Sequence, residues 1–250
     1  MVDVVIPEPL AVPVLIRPRR WPRLLIFALA VVGFWYLEYL YQYMVYEPGN
    51  FAGAWIRSHA LAGTTLIALA LLSSIVFKFF PRLAVHWRWR RRLGVAGVLI
   101  ISLHVLGVLK YGYAYHLLAI FFSWNPYLNP VLFGVAAYPI LLGMLFTSTD
   151  WAVRKLKRWW KFIHRFIYLA EVGIIFHALL LGGPSVLKSP AGYLLYAVAS
   201  AAILGQVYWW IRVSQTRKFK NAGFYVGLAV IGLVLMLWYF LKNKGYLLLG

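Results

Sequence analysis

Ionisable side chains lie inside long apolar stretches of this 250-residue chain, where such groups are costly and usually functional. They are His59, His104, His164, His177, Glu38 and Glu171. Neutral imidazole is a good ligand for iron, and haem in a helical bundle is commonly held by imidazoles from two helices. We therefore treat the four histidines as candidate haem ligands, with hydrogen bonding to a neighbouring helix as the alternative for each.

The spacing of two histidines predicts one haem between two helices. His104 lies eleven residues past Leu93 and His177 fifteen past Phe162, which places them roughly 17 Å and roughly 22 Å from the same membrane edge. Ordinary helix tilt absorbs the difference of ~5 Å. We expect the two side chains to face each other in the outer half of the bilayer. His59, which should begin the second span on the outer side, competes with His104 as the partner of His177.

His164 suits a second haem nearer the cytoplasm, because the thirteen residues that separate it from His177 span ~20 Å. Thirteen positions also turn ~220°, so the two side chains share a face only if the helix bends, for example near Gly173. The matching region of the third span, Leu93-Gly94, has no histidine, so a second haem would need another ligand or a single axial one.

The two glutamates inside the apolar stretches have other expected roles. Glu171 is expected to bond an imidazole or to make a neutral interhelical contact. Glu38 is expected to be protonated or bonded by tyrosine.

The elements that position these residues are predicted to be membrane-spanning helices. The chain is 63% hydrophobic and 12% charged, whereas soluble domains carry about 25% charged residues. Stretches long enough to cross a bilayer run roughly over 24–45, 60–80, 93–111, 128–148, 162–182, 191–211 and 223–241. We therefore predict an all-α polytopic transmembrane bundle of six or seven helices. A transporter is disfavoured because no inverted repeat or paired broken helices are evident.

The distribution of charge predicts the orientation. Twenty of the 25 Lys and Arg residues fall before the first span or in alternate loops after it, and five fall on the other side. By the positive-inside rule the N-terminus is cytoplasmic. We predict a cytoplasmic tail over 1–22, a transmembrane haem-binding core over 23–211, and a basic loop, extra span and short tail over 212–250. Anionic lipid is one partner for the basic loops.

Several motifs resemble a known family. They are Arg90-Arg91-Arg92-Leu93-Gly94 followed by Leu103-His104, Phe146-Thr147-Ser148-Thr149, the run from Lys157 to Leu169 (KRWWKFIHRFIYL) with His177, and His59-Ala60-Leu61-Ala62-Gly63. Together they resemble the MsrQ (YedZ) family of haem-binding membrane subunits, in the ferric-reductase-like transmembrane superfamily with NADPH oxidases and metalloreductases. The resemblance covers roughly 55–182 and implies a six-helix core to which the seventh span is an addition.

The resemblance implies a b-type cytochrome subunit of the bacterial inner membrane. His104, His164 and His177 match the family's haem-associated histidines, and electrons would pass from a quinol or flavin donor, with FMN or quinone as a further cofactor, to a periplasmic or membrane redox partner protein. Arg90, Arg91 and Arg92, or Arg158, are candidates to pair with haem propionates or a flavin phosphate. We find no dinucleotide or phosphate-loop motif, so we expect no substrate chemistry of the chain's own. The alternative is a structural subunit, with or without haem, of a larger respiratory or photosynthetic complex.

Overall fold

The fold is all-helical over the residues described by the computed structural model, 21–182 and 189–214. The described α-helices are α1 (Trp21–Tyr41), α2 (Phe51–Phe79), α3 (Trp87–Gly107), α4 (Val131–Phe146), α5 (Asp150–Leu156), α6 (Arg158–Arg165), α7 (Ile167–Gly182) and α8 (Pro190–Ser214). Short π- or 3₁₀-helical turns occupy Gln42–Tyr46, Pro81–His86, Val108–Gly112 and Leu117–Phe121. The predicted tail and the predicted seventh span, 223–241, lie outside the described residues.

Helix α2 is the central element and packs against α1, α3 and α8. Its antiparallel contact with α3 is very close at Gly63 and Gly97. A Cβ atom added to Gly97 would lie 2.8 Å from the Gly63 carbonyl oxygen, and one added to Gly63 would lie 3.0 Å from the Gly97 oxygen. Small residues at helix contacts let backbones approach in this way in membranes, where association depends on packing. The close approach fixes the position of His104, seven residues further along α3.

Two further contacts complete the bundle. Helices α4 and α7 pack antiparallel, so the start of α4 lies beside the end of α7. Helix α8 runs parallel to α2, and the buried Gln206 accepts hydrogen bonds from Lys78 at 2.6 Å and from the Tyr168 hydroxyl at 3.0 Å. One amide oxygen thus joins α2, α7 and α8. We call the end of the bundle where α2 ends and α3 begins the basic end.

The bundle is apolar outside and partly polar inside, the arrangement that lipid requires. On α1, Leu25, Ile26 and Leu29 are more than 60% exposed, whereas Glu38 is 4% exposed. Glu38 accepts hydrogen bonds from Gln42 and from groups at the start of α8, not from the neighbouring tyrosines. Five described helical segments are long and apolar enough to cross a membrane, or six if the bent pair α4 and α5 counts as one. The chain is an integral membrane protein.

Two predicted helices differ from the structure. The second span begins at Phe51, not near residue 60, because Asn50 caps the helix by accepting from the Gly53 N–H at 2.9 Å. His59 therefore lies two turns inside α2 and does not begin it. The predicted fifth span, 162–182, lies within one candidate membrane span, Arg158–Gly182, which is interrupted at Phe166 between α6 and α7. The interruption between His164 and His177 is there and not near Gly173.

Candidate functional site

The rings of His104 and His177 lie together toward the end of the bundle opposite the basic end. Their centroids are 6.3 Å apart and their planes are inclined by 77°. The ring contact of His177 in the described structure is with His104 and not with His59. The two helices that carry the pair, α3 and α7, run parallel. The structure thus brings together the two histidines that depth along the helices predicted to face each other.

Each ring donates its Nδ1–H to a backbone carbonyl of a neighbouring element. His104 Nδ1 lies 2.9 Å from the Ile56 oxygen of α2, and His177 Nδ1 lies 3.1 Å from the Pro130 oxygen at the start of α4. A carbonyl oxygen only accepts, so Nδ1 must carry the hydrogen and Nε2 keeps its lone pair. Metal-binding histidines are oriented by this kind of outer hydrogen bond, which also raises the basicity of the ligating nitrogen.

The separation of the rings fits one metal ion between two imidazoles. Such an ion lies about 2 Å from each ligating nitrogen, which lies about 1 Å from its ring centroid, so the centroids would be roughly 6 Å apart. Both residues are half-buried in the described structure. Within the described residues no group of three or more His, Cys, Asp or Glu could hold a metal. Two imidazoles without further protein ligands are the donor set of a six-coordinate haem.

Gly134 of α4 provides the space that the His177 ring occupies. A Cβ atom at this position would lie 3.1 Å from both Cε1 and Nδ1 of the ring. A larger residue would therefore press on Nδ1, the atom that donates to the Pro130 carbonyl, and on Cε1 beside it. Gly107 has a similar relation to α2, since a Cβ there would lie 2.7 Å from Cδ1 of Trp55. Both glycines permit close contacts around the histidine pair.

His59 occupies a different environment from the paired histidines. It is 1% exposed and lies between Trp35 and Trp55, with ring centroids 4.8 Å and 4.3 Å away. Its Nδ1 donates to the carbonyl of Trp55 in its own helix at 2.7 Å. The structure packs this ring among aromatic side chains beside the pair and leaves little room for a ligand on it.

A cavity of about 520 Å³ lies at the basic end. Its wall is mostly apolar, and its polar contributors include Arg90, Arg91, Arg154, Asp150 and His164. The size falls within the range of small-molecule and cofactor sites. Three guanidinium groups against one carboxylate leave the wall net positive. The cavity thus suits a largely apolar molecule that carries negative charge.

His164 is the imidazole in the described wall of this cavity, and its hydrogen bonding differs from that of the pair. Its Nε2 lies 3.1 Å from the Thr147 hydroxyl, and its ring stacks on Trp160 with centroids 4.1 Å apart. The Thr147 hydroxyl donates to the Gly143 carbonyl at 2.8 Å, so it accepts from His164. Nε2 therefore carries the hydrogen, and the lone pair is on Nδ1. No second histidine faces it from the described part of the wall.

The four predicted arginines have different positions. Arg90 and Arg91 line the cavity. Arg91 also pairs with Asp150 at 2.5 Å, and its hydrogen bond and charge hold the pKa of that carboxyl, at the start of the short α5, below its ordinary value. Arg92 lies 4.8 Å over the Trp89 ring, outside the lining. Arg158 lines a separate shallow hollow with other basic residues. Two of the four predicted arginines therefore line the cavity.

Glu171 is buried in α7 between the two histidine levels, 3% exposed. Its Oε2 atom has no hydrogen-bond partner in the described structure. In the described structure the imidazoles of His164 and His177 are hydrogen-bonded to Thr147 and Pro130 instead. The expected bond between this carboxyl and an imidazole is therefore not observed.

The backbone groups and aromatic residues of the two sites were missed from the sequence. The carbonyls of Ile56 and Pro130 carry no side-chain signal. In the sequence Trp160 is one residue of the motif from Lys157 to Leu169, and Arg154 is one of the twenty charges that predict the orientation. Arg154 lies between Asp150 and His164 in a basic segment of the sequence. This position is a signal that could have placed Arg154 near the cavity at the basic end.

Comparison with known proteins defines the class. Residues 60–175 match the family model described as ferric reductase like transmembrane component. This segment contains His104 and His164, begins after His59 and ends before His177. The match covers somewhat less than half of the 250-residue chain, so the chain is similar to ferric-reductase-like membrane proteins over this segment of the helical bundle.

Within that class the chain is similar to the protein-methionine-sulfoxide reductase heme-binding subunit MsrQ of Brucella ovis, Brucella canis and Brucella suis. The identity to each is 29% over 119 residues, which are 47% of this chain and 51% of the relative. The chain thus spans about half the length of the curated relatives it matches. No solved structure matches it. The similarity to MsrQ thus extends over about half of this chain.

Proposed function

We propose that this chain is a b-type cytochrome subunit that transfers electrons across a bacterial inner membrane, with its basic end in the cytoplasm. The observation that carries the proposal is the pair His104 and His177, with ring centroids 6.3 Å apart and both Nδ1 atoms bonded to backbone carbonyls. A purely structural histidine needs one hydrogen bond, and each of these already has one. We attribute the remaining Nε2 lone pairs to the coordination of a metal ion.

His104 and His177 would hold the haem through their Nε2 atoms. A haem bound there supplies reversible one-electron chemistry at its iron. The chain's own contribution is to fix both rings through the carbonyls of Ile56 and Pro130, and to surround them with apolar helices that exclude water. The similarity to a named heme-binding subunit supports the same cofactor.

The cavity at the basic end would receive the electron donor. Its apolar wall suits a flavin or quinone ring, and Arg90 and Arg91 could pair with a phosphate or with haem propionates. We assign a quinol or a flavin such as FMN to this site. A second haem would have only His164 as its axial histidine and would have to bind Nδ1 or displace Thr147.

The acceptor would be a partner protein at the opposite end of the bundle, outside the membrane. The similarity to MsrQ supports a reductase of methionine sulfoxide as that partner. The chain would then supply the path for electrons, and the partner would supply the substrate chemistry. His177, near this end of the bundle, is the closer of the two α6–α7 histidines to such a partner.

Vesicles that contain the purified full-length protein test this function. Ferricyanide is trapped inside, dithionite-reduced FMN is added outside after removal of excess dithionite, and ferricyanide loss is followed. Each flavin hydroquinone gives up two electrons and two protons, and each ferricyanide takes one electron. We expect wild-type protein and the exposed-histidine control His86→Ala to reduce the trapped ferricyanide, and His177→Ala not to do so. Equal rates in all three and in empty vesicles would contradict the proposal.

A further inference from the structure

Asn129 is a fully buried side chain in the connection that leads to α4. Its exposed fraction is 0%. Its Nδ2 donates to the Ile120 carbonyl at 2.7 Å and to the Ser123 carbonyl at 3.0 Å. One side-chain amide therefore ties the residue before Pro130 to the short turn Leu117–Phe121 and to the segment after it.

The next residue presents the carbonyl that His177 uses. The Pro130 oxygen accepts from His177 Nδ1 at 3.1 Å and from the Phe133 N–H at 3.2 Å. The peptide that carries this oxygen lies at the junction of an irregular connection and α4. Its direction depends on how that connection is held, and Asn129 supplies the buried bonds that hold it.

We infer that Asn129 is a positioning residue for the axial ligand His177, acting through the Pro130 carbonyl. This inference rests on the proposed haem between His104 and His177. A carbonyl that accepts from Nδ1–H makes Nε2 a stronger donor to iron, which favours the ferric form over the ferrous form. Asn129 thus helps to keep the midpoint potential of the haem low.

Potentiometry of the haem absorption band in the purified full-length protein tests the inference. Asn129→Ala removes both bonds to the loop, so the Pro130 carbonyl should move away from Nδ1 and the midpoint potential should rise. A tenfold loss of the preference for the ferric form corresponds to about 59 mV for a one-electron couple. Mutation of an outer hydrogen-bond partner typically changes metal affinity by 10- to 100-fold. We therefore expect the midpoint potential to rise by about 59 mV or more.

The control is Asn125→Ala, in the same connection. The Asn125 side chain accepts from the Tyr127 N–H at 3.0 Å. In the described structure it does not bond Ile120 or Ser123, whose carbonyls accept from Asn129. We expect the potential of this variant to equal that of the wild type. Asn129→Ser retains one hydroxyl donor and should give an intermediate shift of the midpoint potential. It is the variant that tests the inference if Asn129→Ala does not accumulate.

Three outcomes would overturn the inference. Wild-type protein with haem and an unchanged potential in Asn129→Ala, or in Asn129→Ser where only that variant accumulates, would contradict the inference alone. Equal upward shifts in Asn129→Ala and Asn125→Ala would mean that any change in the connection has this effect. Wild-type protein without haem would contradict the proposed function and, with it, the role of Asn129.

Discussion

Gly134 of α4 lies directly against the imidazole ring of His177, which leaves no room for a side chain at that position. An added Cβ would be 3.1 Å from Nδ1 and from Cε1 of the ring, a distance shorter than ordinary van der Waals contact. We predict that Gly134→Ala displaces the ring by a few tenths of an ångström and weakens its bond to Pro130. The haem band in reduced-minus-oxidised spectra should shift or lose intensity.

Gly143→Ala is the matched control for that change, because it places the same methyl group on the same helix. Among the described residues, no atom lies within 4 Å of a Cβ at this position. Its spectrum should be that of the wild type. Identical spectra for both variants and the wild type would show that the His177 ring does not bind the absorbing group in the geometry described here.

The Gly63–Gly97 contact between α2 and α3 predicts a cost in stability. In Gly97→Ala the new methyl group would lie 2.8 Å from a backbone oxygen, which cannot move aside as a flexible side chain can. We expect the free energy of unfolding to fall by about 1–3 kcal/mol, the usual effect of overpacking. Denaturation of the purified protein in mixed detergent micelles measures it.

Gly33→Ala on α1 serves as the reference for a helical Gly-to-Ala change, since nothing in the described part of the chain lies within 4 Å of its Cβ position. Helix propensity alone should stabilise this variant by up to about 1 kcal/mol. A Gly97→Ala variant as stable as Gly33→Ala would be inconsistent with the close α2–α3 contact.

The arginines at the basic end predict selective effects on donor binding. Arg90 lines the cavity, and no carboxylate pairs with it among the described residues. Arg90→Gln should weaken FMN binding about tenfold or more, since a hydrogen bond to a charged group contributes about 1.5–3 kcal/mol. Quenching of FMN fluorescence by the purified protein measures the affinity.

Arg92→Gln removes the same charge two residues further along α3 but outside the cavity wall, where the guanidinium lies over Trp89. FMN affinity should be unchanged in this variant at matched ionic strength. If both variants lost affinity equally, net charge at the surface would account for binding and the cavity would not be the FMN site.

Much of the fold could be predicted from the sequence because lipid imposes a simple requirement on composition. Apolar length located the described spans, and a rise of about 1.5 Å per residue placed His104 and His177 at similar depth. The start of α2 was missed because Trp55 and Arg57 lie in a segment of mixed polarity, where the Asn50 cap decides the boundary.

The details of the sites depend on contacts that a single sequence does not record. Arg90, Arg91 and Arg92 differ by about 100° each around α3, so only the positions of neighbouring helices decide which of them line a cavity. The break at Phe166 and the carbonyls that orient the histidines are likewise results of packing. The ligand roles of His104, His164 and His177 remain predictions that spectroscopy can test.

Haem content per chain, measured by the pyridine haemochrome method on the purified full-length protein and on two single variants, tests the account most directly. We predict at least one b-type haem per chain in the wild type, and the loss of one haem in both His104→Ala and His177→Ala. A value near two in the wild type would add a haem at the basic end. A colourless wild type, or full haem content in either variant, would contradict the assignment of these two histidines as a ligand pair.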